Sequence, residues 1–253
     1  MGERVEVSGR GWRRCCRLPW AGLAKALVDR APASLVWLLD GAEHAELERL
    51  AELLHWAPMG THVVLVSTCT VYGDRDGSVC DEEQPLDLRT PHARLKAQAE
   101  AMLAESTLSW CVQRLGALYG VDDRGARTDR VEKWVTAAAT TGEVHVPDPD
   151  HWRGWVHRDQ AARSLWRAAR SRTAGVFNVA SANLTFGQAA GQAAEPFGAT
   201  VVADEAVDLC DYRIDATKAR SCGLLDEFPE ENLATTVSAF VRHRYPDRHP
   251  GPG

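Results

Sequence analysis

The chain has 253 residues, a formal net charge of −6 at pH 7 and 45% hydrophobic residues, enough apolar material for one or two packed domains and too much for a disordered chain. With acidic residues in excess, it carries no basic field of the kind that phosphate-backbone binding needs, which excludes nucleic acid as a default partner. No apolar run reaches the roughly 18 residues of a membrane span, and MGERVEVSGRGWRRCCRLPW lacks the continuous apolar core of a signal peptide, so a soluble cytoplasmic protein with no membrane partner is expected.

In chain order, Ser34 to Leu39 (SLVWLL) is a short unbroken apolar run that reads as a strand, and Glu43 to Trp56 follows with apolar residues at helical spacing. After the Pro58-Met59-Gly60 break, His62 to Val66 (HVVLV) is β-branched and unbroken, a second strand. Pro91 opens a helix in PHARLKAQAEAMLAES, with Leu95, Ala99, Met102 and Leu103 on one apolar face, and Trp110 to Leu115 reads as a third strand. Continuous apolar strands alternating with amphipathic helices imply right-handed crossovers and an α/β, doubly wound parallel sheet. Beyond Gly120 the elements shorten. Helices are expected around Asp129–Thr140, Asp159–Arg170, after Thr185 and near Glu231–Arg244, with strands at Glu143–Val146 and Gly175–Val179 and a loop at PDPDHWRGW. One unit is expected, a core over about 1–120 and a small interleaved substrate lobe over about 121–253.

The seven cysteines form no C-x-x-C pair and encode neither a disulfide framework nor a zinc knuckle, and the adjacent Cys15 and Cys16 read as reduced thiols. Asp148, Asp150, His151, Arg153 and His157 cluster around WRGW without the spacing of a metal signature, so no metal is expected.

VVLVSTCTVYGD (Val63 to Asp74) resembles the strand and active-site loop of the extended short-chain dehydrogenase/reductase family, the epimerase/dehydratase type. EEQPLDLRTPHARLKAQAE, QRLGALYG, RGWVHRDQAARSLWRA, GVFNVAS and YRIDATKARSCGL are similar to later family segments, in the family's order. The resemblance implies a reduced Rossmann-like sheet with a small C-terminal substrate lobe. It also implies a cofactor site built from a strand, a glycine-rich turn and a helix N-terminus. Here only Gly9 and Gly11 occur, in SGRGW, and SLVWLL, aligned with the family's fourth strand, begins where a single βαβ unit of about 30 residues would barely have ended. The dinucleotide half-site is therefore expected to be mostly missing.

Family catalysis uses a Tyr and a Lys four residues later, with a Ser or Thr from the neighbouring strand end. Alignment places Thr68 at the hydroxyl, Lys96 at the lysine and His92 where the tyrosine belongs. A cation one helical turn away biases an imidazole towards its neutral form, so His92 is a candidate general base beside Lys96 and the Thr68 hydroxyl. On ordinary solvated helix faces the same His and Lys pair carries no chemistry. Tyr72 is a candidate substrate contact or a packing residue; Arg153, similar to a family arginine on the substrate side, is a candidate substrate ligand with Trp152 or Trp155 as wall.

These readings lead to a cofactor-independent, non-redox isomerase, lyase or cyclase acting on a carbonyl-containing small metabolite, in specialised metabolism, with no cofactor expected. The alternatives are an NAD(P)-dependent epimerase/dehydratase or reductase with an atypical cofactor site, and a catalytically inactive binding subunit. An open sheet edge is expected to be covered by residues 1–20, by a second copy in a homodimer or by a partner chain.

Overall fold

The computed structural model describes residues 22–39, 45–120, 129–227 and 229–246. It begins with α1 (Leu23–Arg30), β1 (Ser34–Leu38), α2 (Ala45–Trp56), β2 (His62–Thr68), β3 (Asp74–Cys80), α3 (Pro91–Ala104), β4 (Ser109–Leu115) and β5 (Ala117–Tyr119). Then come α4 (Arg130–Thr141), β6 (Glu143–Val146), β7 (Trp152–His157), α5 (Arg158–Ser171), β8 (Gly175–Val179), β9 (Ala182–Thr185) and α6 (Phe186–Ala194). The last elements are β10 (Thr200–Ala203), β11 (Asp211–Ile214), α7 (Thr217–Ser221) and α8 (Leu233–Arg244).

The unbroken apolar runs are the central strands. They pair in the order β1-β2-β4-β8, parallel throughout, with Val64 opposite Val36 on one side and Cys111 on the other. Side chains alternate across a strand, and β2 uses both faces. Val63 and Leu65 pack with Leu50, Leu53, Leu95 and Leu103 from α2 and α3, whereas Val64 packs with Cys111, Phe177 and, from α5, Ala161 and Ala168. Burial on both faces is why this sheet reads as continuous hydrophobic stretches. Among the described residues β1 and β8 are the edge strands of this sheet, and on β1 Val36 is 39% and Leu38 63% exposed. Residues 1–20, expected to cover that edge, lie outside the described residues, as do Cys15, Cys16 and the SGRGW turn.

The lobe has its own core, in which Tyr119, Trp134, Trp155, Phe186 and Phe240 are buried together. PDPDHWRGW, expected as a loop, contributes a strand instead: β7 pairs parallel with β5 and antiparallel with β9. Gly154 is what allows it. A Cβ there would lie 2.7 Å from Ile214 Cγ1, and one at Gly116 would lie 2.6 Å from the Gly154 carbonyl, so two backbones cross where no side chain fits. Among the described residues no helix is long and apolar enough to cross a membrane.

His62 opens β2 fully buried, its Nδ1 2.8 Å from the Ser109 hydroxyl. Burial, together with the nearby Arg172 guanidinium, holds its pKa below the ordinary 6.5. The unfolded chain therefore takes up this proton first on acidification, so stability is full above 6.5 and falls as pH drops through 6.5 towards the folded value. Urea melts between about pH 8 and pH 5 are expected to show this slope, and His62→Gln to reduce it by one proton's share; an unchanged slope in the variant would assign it elsewhere.

Candidate functional site

Thr68 ends β2, and its side chain caps the single turn Cys69–Tyr72 by accepting from the Thr70 amide at 3.2 Å. Its hydroxyl lies 3.0 Å from that of Thr70. The loop is closed by Gly73 at φ +65, where a Cβ would meet the Asp87 carbonyl at 2.4 Å, and the Asp87 amide donates to the Val71 carbonyl at 2.9 Å. The STCTVYGD loop thus turns tightly at the carboxyl end of the sheet.

α3 starts where its sequence predicts: the Thr90 hydroxyl accepts from the Ala93 amide at 3.1 Å, and Pro91 occupies the first turn. His92 lies in that turn, half-buried. Lys96, one turn on, is only 3% exposed. Its Nζ donates to the carbonyl of Leu39, just past β1, and to that of Val66 near the end of β2 at 3.2 Å. An ammonium is thereby fixed across the carboxyl ends of two adjacent parallel strands, two residues short of Thr68. Open α/β sheets bind ligands in crevices outside these strand ends. Thr68 and Lys96 are brought to one strand end, and His92 shares the helix face of Lys96 by its spacing.

The other candidates sit elsewhere. Tyr72 is fully buried; its hydroxyl donates to Asn178 Oδ1 at 2.7 Å and accepts from Arg114 Nη1 at 3.0 Å. Burial pushes its pKa up, and that of Tyr119 up to about 12, so both phenols stay protonated. Arg114 also grips Glu100 through Nε and Nη2, and Ser67 donates to Glu100. This buried network beneath Thr68 was not foreseen; its signals were Glu100, one turn beyond Lys96, and a lone arginine inside an apolar strand. Arg153 and Trp155 are 5% and 0% exposed. Trp155 donates to the Leu184 carbonyl at 3.1 Å and helps line a lobe cavity of about 260 Å³ with Tyr119, Ser181, Gln192 and Asn232; Thr68, His92 and Lys96 do not line it.

The thiols of Cys69, Cys80, Cys111 and Cys210 are all pushed up by burial, that of Cys111 to about 12, which leaves them unreactive as thiolates. Among the described residues, His157, Asp159 and Glu231 could converge on a metal ion. Glu231 is already held by both terminal nitrogens of Arg163, at 2.8 and 2.7 Å, a pairing that lowers its carboxyl pKa to about 2.

Residues 42–180, more than half of the chain, match the model of the NAD dependent epimerase/dehydratase family. The chain belongs to that family. Among solved structures it is similar to dTDP-glucose 4,6-dehydratase of Bacillus anthracis str. Ames in complex with NAD (TM-score 0.73, 20% identity, covering 90% of this chain and 78% of that one). It is similar also to the UDP-glucose 4-epimerase of Thermus thermophilus in complex with NAD (0.68, 20%, 88% and 82%), and to UDP-glucuronic acid 4-epimerase of Bacillus cereus with UDP-glucuronic acid and NAD (0.69, 17%, 88% and 79%). No curated protein matches. The shared fold is Rossmann-like.

Membership corrects the expectation of a cofactor-independent, non-redox enzyme: the family is NAD-dependent, and these solved neighbours are NAD complexes. The physical reason for the error is that a glycine-turn signature reports only the pyrophosphate end of a dinucleotide. That turn falls in residues outside the described ones. At the other end the donor set of this family member fits NAD: a buried ammonium at the strand ends and a hydroxyl two residues beyond it suit the hydroxyls of a ribose and a substrate oxygen.

Proposed function

We propose that this chain is an NAD(P)-dependent epimerase/dehydratase or reductase acting on a carbinol or carbonyl carbon of a small metabolite, with His92 in the acid–base place. The observation that carries the reading is Lys96, buried with its ammonium anchored across the ends of β1 and β2. The relatives above are named for dTDP-glucose, UDP-glucose and UDP-glucuronic acid, which makes a polyhydroxylated carbon skeleton the natural substrate type.

NAD(P), when bound, supplies a hydride acceptor and donor. Lys96 would hold its nicotinamide-side ribose. The Thr68 hydroxyl donates to the substrate oxygen and fixes its position, and the His92 imidazole takes the carbinol proton as carbon is oxidised and returns it on reduction. Imidazole can do both near neutral pH because its ordinary pKa lies close to it.

Nicotinamide fluorescence on the full chain tests the cofactor: saturable binding of NADH or NADPH is expected, and its absence for both through the millimolar range would overturn the reading. With a carbinol that reduces the bound nicotinamide, His92→Ala is expected to lower kcat by about 10²–10⁴ with KM little changed. His92→Tyr is expected to retain turnover, with the basic form required at higher pH. Full activity of His92→Ala would remove the imidazole from the chemistry.

A further inference from the structure

We propose that the lobe cavity is a second ligand site, which takes a small uncharged aromatic compound and is separate from the strand-end site of Thr68 and Lys96. The inference is independent of the oxidoreductase reading above.

The cavity of about 260 Å³ lies over one face of the β7–β9 pair. Trp155 and Ala182 stand opposite each other in that antiparallel pair, and Leu184 follows two residues on, so the three side chains share a face. Tyr119 and Trp155, both buried, close the inner end, while Ala182 and Ala234 are exposed and mark the mouth. An apolar cavity of about 150 Å³ takes one benzene ring, so this one has room for a substituted or fused ring system. It is smaller than the about 300–1,000 Å³ of pockets that enclose drug-sized ligands, which excludes a dinucleotide.

The charge of the lining decides the ligand's charge. Glu231 is the one acidic or basic residue on the described lining apart from the Tyr119 phenol, which burial keeps protonated. Its carboxylate oxygens accept from Arg163 Nη1 and Nη2 at 2.8 and 2.7 Å, so its charge is spent on α5. A ligand ion would lose its water here without a free counter-charge, whereas an uncharged ring loses little. Trp155 spends its indole N–H on the Leu184 carbonyl at 3.1 Å and so offers apolar surface only. The unspent polar capacity is amide: the Gln192 side chain makes no hydrogen bond among the described residues, and Asn232 commits Oδ1 to the Thr235 amide at 2.9 Å, with its NH₂ left over. These groups match one hydroxyl or carbonyl on the ring.

The test is calorimetric titration of the full chain with 2-naphthol and, as its charged counterpart, 2-naphthalenesulfonate. Wild type is expected to bind 2-naphthol with Kd at or below about 1 mM, a modest affinity for a ligand of this size, and to give no saturable heat with the sulfonate. Ala182→Leu, which puts three more carbons opposite Trp155, is expected to weaken 2-naphthol at least about tenfold. Ala234→Leu blocks the mouth from α8 and serves if Ala182→Leu fails to fold. Absence of saturable 2-naphthol binding would overturn the proposal, as would undiminished binding by a folded blocking variant or equal binding of the sulfonate. Mutually exclusive binding of 2-naphthol and NADH would place the ring at the strand ends and overturn it too. Failure of NADH to bind at all counts against the oxidoreductase reading alone, because the blocking variants read the lobe cavity directly.

Discussion

Lys96→Met is expected to lower both stability and cofactor affinity. The ammonium is 3% exposed and donates to the carbonyls of Leu39 and Val66. A thioether fills much of the same volume but leaves both acceptors without this donor, at about 1–3 kcal/mol for each buried unsatisfied group. The loss of about 2–6 kcal/mol corresponds, at about 2–4 °C per kcal/mol in a chain of this size, to a Tm lower by at least about 4 °C. NADH affinity is expected to fall at least about tenfold, since a hydrogen bond to a charged donor is worth about 1.5–3 kcal/mol. Lys96→Arg is not expected to restore either property, because a planar fork cannot reproduce three donors radiating from one point. Urea melts and nicotinamide fluorescence on the same preparations check both; an unchanged melt with unchanged NADH binding would show that the ammonium supports neither the strand ends nor the ribose.

Legibility of the fold tracked burial. Val63, Val64 and Leu65 are fully enclosed, and a strand covered on both faces writes itself into the sequence as an unbroken run. α3 was legible from Pro91 at its start and from its apolar face. The lobe strands were not: β7 carries Arg, Gly and His among its residues, and its pairing depends on close backbone approach at Gly116 and Gly154, a tertiary fact without a local signature. The same limit applied to the site. Thr68, His92 and Lys96 were assigned through the family resemblance, to which the structure adds that Lys96 Nζ reaches the Val66 carbonyl, two residues short of Thr68. Knowing that Arg153 is paired with Asp208, 55 positions away in the chain, needed the fold. The cofactor was misjudged because the reading leaned on glycines that mark only one end of a dinucleotide.

The second large effect is expected beneath the site, at the pair formed by Glu100 on α3 and Arg114 on β4. Their side chains are 10% and 7% exposed, with Arg114 Nη2 2.8 Å from Glu100 Oε2. Removing one partner of such a pair leaves a buried charge uncompensated and costs about 3–5 kcal/mol. Arg114→Ala is therefore expected to destabilise the chain by that amount. It also takes a donor from the Tyr72 hydroxyl, which Arg114 Nη1 holds at 3.0 Å. The double variant Glu100→Leu/Arg114→Met is expected to be much milder than Arg114→Ala, since desolvating both ions is itself costly and apolar replacements of similar volume are often neutral. Stability and site geometry should then separate. Ser67, which precedes Thr68 on β2, donates to Glu100, and Glu100 lies one turn beyond Lys96, so the pair also sets how α3 sits against the strand that carries the hydroxyl. The double variant is expected to keep most of the wild-type melt yet bind NADH more weakly, because Lys96 and Thr68 lose their common anchor. If the double variant melted as low as Arg114→Ala, the network would be a stability element with no partition between folding and site; if it bound NADH as wild type does, the register of α3 would be set by Leu95, Ala99 and Leu103 packing alone.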